Sequence, residues 1–188
     1  MTEYVLEMKG ITKEFPSVKA LDNVTFSVRK GEIHALCGEN GAGKSTLMKV
    51  LSGVYPAGTY SGKILIKGKE ASFKNIKESQ DAGVAIIYQE LALVGEMTIA
   101  ENLFLGHDLM RSAVINWNEI YKKSVVALEK VGLDLDPQMK VSELTVGKQQ
   151  LLEIAKALTK ETDILILDEP TAALTESDVA VLIKLLNE

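Results

Sequence analysis

Apolar and polar residues alternate through VLEMKGI (5–11), NVTFSV (23–28), EIHALC (32–37) and GKILIKG (62–68), with turn residues between them. A period of two predicts strands, so the first third of the chain is strand-rich. From Ile99 the spacing changes. TIAENLFLG (98–106), NWNEIYKKSVVALEKVGL (116–133) and GKQQLLEIAKALTK (147–160) repeat their apolar positions at the helical period. The β-branched and leucine run of DILILDEPT (163–171) predicts a fully buried strand. TESDVAVLIKLLNE (175–188) reads as a helix with Thr175 or Ser177 at its cap. This order predicts an α/β architecture in which a helical insertion, roughly Leu91 to Lys160, interrupts the strands of one mostly parallel core sheet.

The apolar run IHALC leads into GENGAGKSTL (38–47), which precedes the helix-like MKVLSG. Gly38, Gly43, Lys44 and Ser45 occupy the fixed positions of a phosphate-binding loop, G-x-x-x-x-G-K-[ST], in its strand-to-helix setting. The physical reason for this pattern is direct. Glycines let the backbone aim N–H groups at phosphate oxygens, and the following helix adds the positive end of its dipole. The loop residues Glu39, Asn40, Gly41, Ala42 and Thr46 complete the cradle. Lys44 would reach the β- and γ-phosphates, and Ser45 would offer its hydroxyl to Mg²⁺. The loop alone therefore predicts a site for a Mg-nucleotide in a P-loop fold.

Composition narrows the surroundings. The chain has 188 residues, 46% hydrophobic and 25% charged, enough for one substantial core. Its 21 Lys and Arg against 26 Asp and Glu give a formal charge of −5, which disfavours nucleic acid as a partner. No apolar run approaches the ~20 residues that span a bilayer, and MTEYVLEMKG has no signal-peptide pattern. The one cysteine, Cys37, is expected to be a buried small apolar residue.

A second constellation is ILILDEP (164–170). Its apolar run places Asp168 at the carboxyl end of a strand, where open α/β sheets bind ligands, so that Asp168 would face the metal. Glu169 follows as the candidate to orient or deprotonate the attacking water. In SELTVGKQQLLEIAKAL (142–158), Gly147 stands at a helix start, a further anion site.

Here the chain resembles the ATP-binding cassette (ABC) family of transporter ATPases. The family signature LSGGQ aligns with Leu144-Thr145-Val146-Gly147-Lys148; Gly147 and the following helix carry the match, and Thr145, Val146 and Lys148 depart from the pattern. The resemblance implies a head-to-tail pair of cassettes, with Thr145 and Gly147 of one closing on ATP held by the other. It also implies that Gln89, after VAIIY, links metal and attacking water to the membrane-domain contact, and that Phe15, in ITKEFPSVKAL, stacks on adenine. AALT (172–175) stands where the family usually has SALD, with Thr175 replacing the aspartate.

GVYPAGTYSGKILIKG and AIIYQELALVGEMTIAENLFLG look like the monosaccharide-importer branch, the first most like its D-xylose members. The fold so implied is one nucleotide-binding domain, residues 1–188, with an N-terminal antiparallel β part, a core subdomain (1–90 and 161–188) and a helical subdomain (91–160). The implied partners are a second cassette, membrane permease subunits and, indirectly, a periplasmic or extracellular sugar-binding protein. The implied place is the cytoplasmic face of the membrane. Two other readings are a soluble ABC-type ATPase of DNA repair or translation and a P-loop kinase. With one P-loop, the chain would be an N-terminal cassette or part of one. The histidine that the family places after a further strand has no match in His34 or His107, so nucleotide binding with little steady-state turnover is expected.

Overall fold

A computed structural model describes residues 4–88, 91–107, 115–160, 162–168 and 174–186. The N-terminal alternation forms β1 (Tyr4–Phe15) and β2 (Val18–Arg29), antiparallel partners joined through Pro16 and Ser17. β1 also pairs antiparallel with β3 (Ser61–Ile66), and β3 with β4 (Lys69–Ala71), in the order β2-β1-β3-β4. The β3–β4 turn uses Lys67 (φ 49°) and Gly68 (φ 75°), the positive-φ pair that suits a tight hairpin.

Buried positions along β1 run Leu6, Met8, then Ile11 and Lys13. The change of parity comes from a register shift between Met8 and Ile11 around Gly10, whose φ is 62°. A bulge of this kind turns later side chains onto the opposite face.

Two compact units are present, Met1–Ala85 with Thr162–Ile166 and Ile86–Glu161 with Leu167–Glu188. In the first, α1 (Lys44–Leu51) buries Leu47, Val50 and Leu51 in a cluster with Leu6, Met8 and Ile64 of the sheet. The short α2 (Ile76–Asp81) starts on an Asn75 side-chain cap. In the second, α3 (Ile99–Phe104), α4 (Trp117–Lys130) and α5 (Val146–Leu158) bury Leu103, Ile120, Leu128, Leu151, Leu152 and Ile154. Local signals set their starts. Thr98 and Glu101 make a reciprocal capping box at α3, and Asn116 caps α4. α6 (Glu176–Leu186) starts after Thr175, whose Oγ1 accepts from the Asp178 amide at 3.3 Å, as the sequence predicts.

A separate two-stranded sheet pairs β5 (Val84–Ile87) with β6 (Ile164–Leu167). Gly83 O accepts from Ile164 N (3.0 Å) and Ile87 O from Asp168 N (3.0 Å), so the partners advance together and the pair is parallel. The described sheets are thus both antiparallel and parallel, beside helices.

Three expectations are corrected. Residues 32–37, predicted as a strand, make no strand and are exposed, with Ile33 at 62%. A strand exists only by pairing its N–H and C=O groups. Here the start of the segment is instead tied back locally: Arg29 N donates to Glu32 Oε2 (2.8 Å), Glu32 N to Arg29 O (3.2 Å), and the His34 ring meets Phe26 edge-on at 5.0 Å. Cys37, on the same segment, is consequently exposed rather than buried. β6, expected to be fully buried, is half-buried along its length because only β5 flanks it among the described residues.

Candidate nucleotide site

The loop Gly38–Gly43 folds around the ammonium group of Lys44. Lys44 Nζ donates to Gly38 O at 2.6 Å and to Glu39 O at 2.9 Å, and Ala42 N closes a turn on Glu39 O at 3.1 Å. The lysine thus holds a cation inside the ring of the loop. Asn40, Gly41, Ala42 and Ser45 are exposed, and Gly43, Lys44 and Thr46 half-buried. α1 begins with no side-chain cap and no acidic residue in its first turn. Its leading N–H groups and dipole therefore face no carboxylate from that turn, which suits an anion.

Gly43 caps α1 at φ 91°, and a Cβ there would lie 2.6 Å from Ala20 O and 3.0 Å from Leu21 Cδ2. The loop consequently sits tight against β2, just past the β1–β2 turn where Phe15 pairs with Val18. The structure so brings Phe15 and the P-loop to one edge of the first unit. Phe15 is half-buried and meets Tyr55 edge-on, with centroids 5.5 Å apart at 68°.

The remaining predicted residues belong to the second unit. Asp168 is exposed at the carboxyl end of β6. Thr145, also exposed, is the N-cap of α5 and makes no side-chain cap, Gly147 is buried in the first turn, and no acidic residue accompanies them. Gln149 Nε2 donates to Leu144 O (2.9 Å), fixing the turn before the helix. Gln89 and Glu169 lie outside the described residues. Ser45 and Asp168 each carry an oxygen donor of the hard kind that Mg²⁺ prefers.

Sequence reading missed the grip on residues 92–94. Glu153 Oε1 accepts from Ala92 N (3.1 Å) and Lys156 Nζ donates to Ala92 O (3.3 Å). Asn102 accepts from Val94 N (2.8 Å) and donates to Val94 O (2.9 Å). Burial pushes the Glu153 carboxyl up against the opposing pull of the Ala92 amide and Lys156, and burial pushes the Lys156 ammonium down. The available signal was a Glu between Leu152 and Ile154 in the apolar stretch of α5. His107 has a structural setting: its Nε2 lies 3.2 Å from Thr159 Oγ1 and its ring meets Phe104 at 5.5 Å.

Residues 21–172 match the family described as ABC transporter. The chain is 75% identical over 182 residues to the xylose import ATP-binding protein XylG of Geobacillus kaustophilus (strain HTA426), covering 97% of this chain and 36% of that protein. It is 62% identical over 188 residues to the L-arabinose transport ATP-binding protein AraG of Geobacillus stearothermophilus, covering 100% and 37%. The chain therefore spans little more than a third of the length of these relatives. Among solved structures, it is similar to an ATP-binding cassette of an ABC transporter in its ADP conformation, with TM-score 0.84, 29% identity and coverage of 99% and 76%. A dimeric cassette in a post-hydrolysis state bound to ADP and Pi matches with TM-score 0.78, 25% identity and coverage of 96% and 81%.

Proposed function

The chain belongs to the ABC transporter family, and from that premise we propose that it is the ATP-binding and ATP-hydrolysing part of a subunit that energises import of a monosaccharide through a membrane permease. The observation that carries the reading is the cation-filled loop at the uncapped start of α1, packed beside the Phe15 turn. The ring of Phe15 receives the base. The loop amides and the start of α1 hold the phosphates, with Lys44 neutralising the β- and γ-phosphate oxygens in place of its present carbonyl partners. Ser45 and Asp168, with Gln89, would hold Mg²⁺, which supplies charge neutralisation at those same phosphates. Glu169 orients a water for attack on the γ-phosphorus and takes its proton as ADP leaves. Thr145 and Gly147 present the start of α5 to the γ-phosphate of ATP held by a second cassette, head to tail.

A pentose is the proposed cargo, since the relatives at 75% and 62% identity are named for xylose and L-arabinose. Those names lend no support to a soluble repair or translation ATPase or to a kinase. No helix among the described residues is long and apolar enough to cross a membrane. The chain's place at the cytoplasmic face is accordingly proposed through a permease, with a sugar-binding protein acting on the permease's other side. Calorimetry of Mg-ATP binding tests the site: Lys44→Ala should remove most of the affinity while the fold survives, and equal affinity would sink the assignment. In the assembled importer, the same substitution should abolish pentose uptake.

A further inference from the structure

Lys13 stands two residues before Phe15 on β1, on the same face, and is only 7% exposed. Its Nζ donates to Thr59 O at 2.7 Å, lies 5.0 Å from the Phe15 ring centroid and 5.1 Å from that of Tyr55, and has no carboxylate partner among the described residues. A buried ammonium needs compensation. Here it comes from one carbonyl and two aromatic rings, the desolvated setting in which cation–π attraction is strongest. The two rings also touch each other edge-on, so ammonium, Phe15 and Tyr55 form one wedge.

Tyr55 is itself anchored to the P-loop helix. Its backbone N–H donates to Lys49 O in the last turn of α1 at 3.0 Å, and Thr59 N closes the next turn on Pro56 O at 3.0 Å. The wedge therefore ties Phe15 to the C-terminal end of α1, while Gly43 packs the other end of α1 against β2. Phe15 keeps part of its surface accessible.

We propose that Lys13 and Tyr55 are positioning residues that hold the Phe15 ring in place as a stacking platform for the base of a nucleoside triphosphate. The inference rests on the nucleotide-site reading above. A ring already pinned on one side loses little rotamer freedom when a base lands on the other, so the wedge supplies preorganisation rather than a direct ligand contact. It acts on the base alone, whereas the P-loop acts on the phosphates.

The test is to titrate this chain with ATP and, separately, with inorganic tripolyphosphate, which lacks a base. Lys13→Met and Tyr55→Leu should each weaken ATP by about fivefold, in the range of a desolvated cation–π contact, and leave tripolyphosphate affinity unchanged. Lys13→Arg, which keeps a cation over the rings, should recover ATP binding. Unchanged tripolyphosphate affinity also reports an intact fold. Equal losses for both ligands would overturn the proposal, because Lys13 would then act through charge or folding. Undiminished ATP binding in Lys13→Met and Tyr55→Leu, with Phe15→Ala still impaired, would overturn it while leaving the platform standing. If Phe15→Ala itself binds ATP normally, the platform reading fails and the proposal with it.

Discussion

Asn102 is fully buried on α3, and its side chain makes three hydrogen bonds: from Val94 N (2.8 Å), to Val94 O (2.9 Å) and to Thr98 O (3.0 Å). Truncation by Asn102→Ala does not orphan all three partners. Val94 O still accepts from Met97 N (3.1 Å), and Thr98 O from the helical Asn102 N (3.0 Å). The Val94 N–H alone loses its acceptor. An unpaired buried donor costs about 1–3 kcal/mol and each forfeited bond about 0.5–1.5 kcal/mol. Val94 is 43% exposed, so water can reach its amide, which favours the lower half of the sum. The expected loss is about 2–4 kcal/mol. Urea unfolding should show a lower midpoint with an unchanged slope, and native-state exchange should show the Val94 amide deprotected. Asn102→Asp sharpens the test. It keeps the acceptor for Val94 N but turns its second oxygen on two carbonyls, so it should be the worse variant at neutral pH and partly recover in acid. An alanine variant within about 0.5 kcal/mol of the parent, with Val94 exchange unchanged, would refute the reasoning.

Burial raises the Glu153 carboxyl above its ordinary 4.5, so the folded chain holds that proton more tightly than the unfolded chain does. Stability from this group is complete below pH 4.5 and declines as pH rises through the raised value; Glu153→Gln should flatten that decline in thermal melts across pH. Glu153→Leu, which strands Ala92 N–H, should cost about 1–3 kcal/mol below pH 4.5 in the same melts, and because it too removes the titrating carboxyl the difference should shrink as pH rises. Gly43→Ala would combine a left-handed φ of 91° with a Cβ 2.6 Å from Ala20 O. It should lower stability by about 1–3 kcal/mol and weaken ATP and tripolyphosphate alike in calorimetry, since it disturbs the phosphate cradle itself.

Much of the fold was legible because the signals are local. Thr98 with Glu101, and Thr175 before α6, satisfy helix-start N–H groups within a few residues, so their sequence positions suffice. The P-loop motif likewise names its own residues. The candidate site was less evenly legible. Phe15 was reached through a family resemblance, whereas the stretches that hold Lys13 and Tyr55 gave no sign that the two meet, being 42 residues apart in sequence and brought together by a shared ammonium–ring contact.

What the sequence determined by itself was the kind of element at most positions and the place of the P-loop motif, because hydrophobic period, caps and glycine spacing act within one segment. Tertiary structure alone decided which face each strand residue takes and whether an apolar run becomes a strand at all. The bulge at Gly10 reverses the parity of β1 and so buries Lys13 beside Phe15's partner ring. Residues 32–37 alternate like a strand, but find no ladder and remain exposed. Among the described residues β6 has one flanking strand, and it stays half-buried despite four consecutive apolar residues. The physical reason is common to all three: a strand's hydrogen bonds and its burial are completed by other segments, whereas a helix closes its hydrogen bonds within itself.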